Sequence, residues 1–182
     1  MPPPDYEIEE EKVYQCRIFS VYEGKYQLPD GRICHQSRVD HRPCVTIVPV
    51  DDAGNILLVR QFRYAVAGEM LELPAGSMDK DGESPEDCAR RELAEETGFG
   101  AEEWKILYEG YLLPGYCNEY MYFFLATRLY HAPLVPDDDE HIEVLKLPLE
   151  TSLAMIRDRK IIDTKTALGI YLSREALQGR SI

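Results

Sequence analysis

Arg91-Glu92-Leu93-Ala94-Glu95-Glu96-Thr97-Gly98-Phe99 places three carboxylates within five positions of a stretch that reads as helix. At 3.6 residues per turn, Glu92 faces Glu95 and Glu96 at i+3 and i+4, so all three crowd one edge. Like charges at those spacings oppose helix formation by roughly a few tenths of a kcal/mol per pair. A chain that keeps them together needs a positive partner, and a divalent metal is the leading candidate. Oxygen ligands with no accompanying histidine and no thiol pair select Mg²⁺ or Mn²⁺ over zinc. Mg²⁺ is usually shared between one or two carboxylates and substrate phosphates, so the cluster points to metal-assisted phosphate chemistry. The plain alternative is a solvated acidic helix face.

The elements that must position this edge are well marked. Ser84 is a natural N-cap, Pro85 sits at the favoured first helical position, and Glu86 and Asp87 put negative charge in the first turn. Asp87 completes a pattern like a capping box, and the helix is expected to run to Thr97 and stop at Gly98. Upstream, residues 44–50 are apolar on both faces, as a central strand should be. The turn Asp51-Asp52-Ala53-Gly54-Asn55 and the run 56–64 predict a hairpin with basic residues at its exit. Glu72-Leu73-Pro74-Ala75-Gly76 closes a short strand before the loop into the helix. Downstream come strands over 103–113, 120–126 and 142–147, an amphipathic segment over 150–157 and a final helix over 163–177. Residues 1–12, Pro-rich and then acidic, read as a mobile arm, and residues 13–39 as a β meander turning at Pro29-Asp30-Gly31. So short a meander buries little alone and is expected to pack on the main domain or on a second copy. Strands mixed with few helices predict an α+β fold with a mixed sheet sandwiched by helices.

Composition narrows the class. A chain of 182 residues fits one domain with a small appended element, and 45% hydrophobic with 29% charged residues is ordinary globular usage. The start shows neither a basic nor an apolar leader region, and no apolar run is long enough for a membrane helix, so a cytoplasmic location is expected. The five cysteines are scattered and never form a C-x-x-C pair, against a disulfide framework or a zinc site. A net charge of −13 disfavours nucleic acid and anionic membrane surfaces as partners. A small anionic ligand stays open, because a metal and local arginines can reverse the potential inside one cleft.

Glu83, seven intervening residues, then Arg91-Glu92-Leu93-x-Glu95-Glu96-x-Gly98-Phe99 resembles the Nudix box. One position departs: six residues rather than five separate Gly76 from Glu83, so either the loop carries an inserted residue or Ser77 takes the glycine's place. Leu71-Glu72-Leu73-Pro74-Ala75-Gly76, with Arg60-Gln61-Phe62-Arg63-Tyr64 before it and Pro114 after the box, is similar to the ADP-ribose pyrophosphatase branch. The resemblance implies an α/β/α sandwich over 44–182 and an N-terminal antiparallel sheet over 13–43 used in homodimerisation. It implies Mg²⁺-dependent hydrolysis of nucleoside diphosphate sugars, ADP-ribose to AMP and ribose 5-phosphate first, with GDP-mannose or another sugar nucleotide as the alternative. Glu92 and Glu96 would hold Mg²⁺, with Glu95 as ligand or behind one and the Ala75 carbonyl as a further oxygen ligand. Arg91 would orient the carboxylates, and Glu140, in the acidic run Asp137-Asp138-Asp139-Glu140, would activate the attacking water. Arg63, Glu72 and Arg60 would contact substrate. A different class, a sensor module that binds a nucleotide sugar without turnover, would be marked by lost box acids, and none is lost.

Overall fold

The computed structural model describes residues 6–134 and 142–179. Its strands are β1 (Ile8–Gln15), β2 (Phe19–Gln27), β3 (Ile33–His41), β4 (Cys44–Pro49), β5 (Asn55–Arg63), β6 (Gly68–Glu72), β7 (Ala75–Ser77), β8 (Phe99–Tyr111), β9 (Tyr120–His131) and β10 (Glu143–Pro148). Its helices are α1 (Pro85–Thr97), α2 (Leu149–Arg157) and α3 (Thr164–Leu177). The chain divides into two units, one of the residues up to Arg42 together with Tyr111–Tyr120, the other of Pro43–Gly110 with the residues from Met121 onward.

In the first unit, β1, β2 and β3 form an antiparallel sheet in that order. The strand β1 takes in residues 8–12, which their acidity assigns to a mobile arm. The acids are used: Glu9 pairs with Lys25 opposite it on β2 at 2.9 Å, and Glu10 accepts two bonds from Arg38 on β3, at 2.6 and 2.9 Å. The guanidinium of Arg38 also stacks over the Tyr22 ring at 4.4 Å. Cross-strand charge pairing thus turns a run that would repel itself into an edge strand.

The second unit holds two sheets. One runs β7-β4-β9-β8, with β4 parallel to β9 and antiparallel to β7; the other runs β10-β5-β6 and is antiparallel. The hairpin expected over residues 44–64 does not form as such. The turn is there, with Asp51 Oδ1 accepting from the amides of Ala53 and Asn55, but the strands meet only at the bridge Val50–Ile56. β4 then stays in the first sheet while β5 enters the second.

Alternation along β4 and β9 explains the layering. Val45, Ile47, Phe124 and Ala126 point to one face, where they bury against Cys88, Ala89 and Leu93 of α1. Val48 and Phe123 point to the other, where α3 comes so close at Gly169 that an added Cβ would collide with Leu73 and Val48. The mixed sheet is therefore covered by a helix on each face, which is why β4 is buried along its whole length. The result is the α+β arrangement expected from the strand and helix pattern.

Candidate metal and phosphate site

Helix α1 is held at both ends as its residues dictate. Ser84 Oγ accepts from the Asp87 amide at 3.1 Å and donates to the Asp87 carboxylate at 2.6 Å, while Gly98, at φ 76°, turns its N–H to the Ala94 carbonyl. Burial of Leu93 and Ala89 fixes its rotation, which leaves Arg91, Glu92 and Glu95 on a half-buried edge.

Arg91 knots that edge. Its Nε and Nη2 donate to the two oxygens of Glu83 at 2.8 and 3.0 Å, and its Nη1 donates to Glu92 at 2.7 Å and Glu95 at 3.0 Å. The Glu83 hydrogen bonds, against the cost of burial, and then the Glu92 charge and the hydrogen bonds to Glu95 and Glu92 hold the guanidinium firmly protonated. One guanidinium among three carboxylates leaves the edge net negative. Burial, then the charges of Glu83 and Glu92, push the Cys88 thiol, one turn back, well above the usual range, which favours its neutral form.

Opposite the edge runs β7. The Glu92 carboxylate lies where a Cβ at residue 76 would stand, so any side chain there would have to push it aside. Glu96, 5% exposed, accepts from the Ala75 amide at 3.1 Å. Carboxylates from one helix edge thus meet the bare backbone of Ala75 and Gly76. That all-oxygen donor set, with a place kept clear of any Cβ, suits a hard divalent cation such as Mg²⁺.

A second cluster adjoins the first through Ala75. Glu72 is 2% exposed and takes both Nε and Nη2 of Arg63 at 2.8 Å, together with the Lys165 ammonium. Burial pushes its carboxyl up, but Arg63 and Lys165 outweigh it and bring the value down to about 2. Arg63 is held charged by the Glu72 hydrogen bonds, against burial, with smaller help from the charges of Glu72, Glu96 and Asp163. Lys165 also reaches Asp163 at 2.9 Å, and Thr166 Oγ1 accepts from the Leu73 amide at 2.8 Å.

The residues singled out from sequence therefore fall into two linked groups, Arg91, Glu92, Glu95, Glu96 and Ala75 in one and Glu72 with Arg63 in the other. Arg60 stands apart from both, paired at the surface with Glu143 of β10 at 2.8 Å. Glu140 lies outside the described residues. Lys165, Thr166 and Asp163 were not anticipated. The signal for them was the N-cap pattern Asp163-x-x-Thr166, whose Oδ2 accepts from the Thr166 amide at 2.9 Å.

The chain matches the model of the NUDIX domain over residues 40–164. It is 36% identical over 177 residues to an ADP-ribose pyrophosphatase of Bacillus subtilis, an alignment covering 95% of each chain. It is 43% identical over 126 residues to a GDP-mannose pyrophosphatase of Yersinia enterocolitica, covering 63% of this chain and 64% of the relative. A crystal structure described as an ADP compounds hydrolase superposes with a TM-score of 0.87 at 28% identity, covering 96% of this chain and 95% of that one.

Proposed function

The chain belongs to the NUDIX family, and from that premise we propose that it is a pyrophosphohydrolase of nucleoside diphosphate sugars that converts ADP-ribose to AMP and ribose 5-phosphate. The observation that carries this reading is the Arg91-tied carboxylate edge facing the Ala75–Gly76 backbone, in a chain alike along nearly its whole length to an enzyme named for ADP-ribose.

Members of the family generally need a divalent metal, and we assign Mg²⁺, with Mn²⁺ as the substitute, to Glu92, Glu96 and the Ala75 carbonyl, with Glu95 as a ligand or behind one. Such ions, when bound, neutralise phosphate oxygens, acidify water and stabilise the leaving phosphate. Arg91 keeps the carboxylates aimed at Ala75 and Gly76, and Glu83 keeps Arg91 in place. Glu72 holds Arg63 by two nitrogens in one orientation, and a guanidinium so fixed suits a phosphate oxygen better than a lysine would. Arg60 is assigned to the outer rim of the substrate grip. Glu140 is assigned the attacking water's proton. The N-terminal sheet is assigned to pairing two copies of the chain, and the location to the cytoplasm. Among the described residues no helix is long and apolar enough to cross a membrane.

A second reading keeps the reaction and changes the sugar nucleotide to GDP-mannose, on the strength of the 43% identity to the Yersinia enzyme. Rates with a panel of ADP-ribose, GDP-mannose and other sugar nucleotides at millimolar Mg²⁺ separate the two. A higher kcat/KM for ADP-ribose supports the first reading; preference for GDP-mannose replaces it with the second. Tight binding of a sugar nucleotide with no turnover would make the protein a sensor, a role the complete set of box acids speaks against.

A further inference from the structure

Between β6 and β7, residues 73 and 74 carry the chain from one sheet of the second unit to the other. Glu72 ends β6, paired with Val59 of β5, while Ala75 begins β7, paired with Thr46 of β4. The backbone position of Ala75, and with it the contact to Glu96, therefore depends on how this two-residue crossing is held. Its sheet-side support is a hydrogen bond from the Ile47 amide to the Pro74 carbonyl at 2.9 Å.

The other support comes from the first turn of α3. Thr166, fully buried, accepts the Leu73 amide on its hydroxyl at 2.8 Å and donates that hydroxyl's hydrogen bond to Asp163 at 2.6 Å. Lys165, 14% exposed, bridges Glu72 and Asp163. At Gly169 α3 packs so close to Leu73 and Val48 that an added Cβ would crowd both. Both residues before Pro74 are thus gripped from the start of α3, Glu72 by its side chain and Leu73 by its backbone.

We infer that Lys165 and Thr166 are positioning residues for the metal site, acting through Glu72 and Leu73 to set where Ala75 meets Glu96. This rests on the metal site proposed above. Groups that fix the orientation of metal ligands typically matter for affinity by an order of magnitude or more when removed.

The test is Mn²⁺ binding by the full chain without substrate, followed by electron paramagnetic resonance, with folding checked by circular dichroism and thermal midpoint. Lys165→Met is expected to bind Mn²⁺ about tenfold more weakly, Thr166→Val to shift the same way, and Lys165→Arg to stay within about twofold of the parent. Folded Lys165→Met and Thr166→Val proteins with parental Mn²⁺ affinity overturn the inference. If Lys165→Met does not fold, Thr166→Val alone decides, because it removes one hydroxyl and keeps the volume. A parent that binds Mn²⁺ but hydrolyses no sugar nucleotide sinks the proposed function while weakened binding in the variants still upholds the positioning role. A parent that binds no Mn²⁺ sinks both.

Discussion

Arg91 and Glu83 form a two-pronged pair, Nε to Oε1 at 2.8 Å and Nη2 to Oε2 at 3.0 Å, with the side chains only 18% and 10% exposed. The pair ties the loop before α1 to the middle of that helix and turns the third nitrogen, Nη1, to Glu92 and Glu95. A lysine has neither the fork nor the reach to serve three carboxylates at once. Arg91→Lys is therefore expected to lower stability by about 1–3 kcal/mol and to cut turnover more sharply than it changes KM. Urea denaturation and steady-state rates on the same preparation check both, and parental values for both would contradict the role given to Arg91.

Glu96→Gln keeps an oxygen for the Ala75 amide but removes the charge. Folding should change little while turnover of ADP-ribose falls by several orders of magnitude. A variant with wild-type-like turnover would refute the assignment of Glu96 as a metal ligand.

At position 76 even a methyl group has no space, because the Glu92 carboxylate stands where it would go. Gly76→Ala must displace Glu92 or the β7 backbone. Because the obstruction is the end of a flexible side chain, the thermal midpoint is expected to change little while the Mg²⁺ requirement rises as Glu92 is pushed aside. Thermal denaturation and a Mg²⁺ titration of activity read the two effects. An alanine variant with unchanged Mg²⁺ dependence would show that this close approach does not matter to the site.

Glu72 makes a pH prediction. Its carboxyl ordinarily titrates at 4.5 and is brought to about 2 in the folded protein, so the folded state favours the charged form. A depressed carboxylate contributes stability that is complete above its unfolded value and is lost as pH falls toward the folded one. Glu72→Gln should accordingly destabilise the protein near neutral pH, and the gap from the parent should narrow as pH drops below 4.5. Denaturation free energies across that range test it, and a gap independent of pH would contradict the pairing described for Glu72.

How much of this could be read beforehand depended on how local the cause was. Ser84, Pro85 and Gly98 mark the ends of α1 through contacts within a few residues, and the helix runs between them as expected. The carboxylate edge follows from spacing on one helix. The failed hairpin at residues 44–64 shows the limit: its turn is local and forms, but β4 finds its partners in β7 and β9, farther along the chain, and its two faces are covered by helices, none of which its own residues specify. Lys165 and Glu72 are 93 positions apart, and nothing at either position announces the other. Gly76 sits one residue off the family spacing, and the Glu92 carboxylate lies against it, a contact between residues 16 apart that no local pattern announces.

The most direct test of the central claim is product analysis of purified protein incubated with ADP-ribose, with millimolar Mg²⁺ in one arm and excess chelator in the other. AMP and ribose 5-phosphate in equal amounts with Mg²⁺, and neither with chelator, is the expected result. Intact ADP-ribose and intact GDP-mannose in the Mg²⁺ arm, from protein shown to be folded, would contradict it.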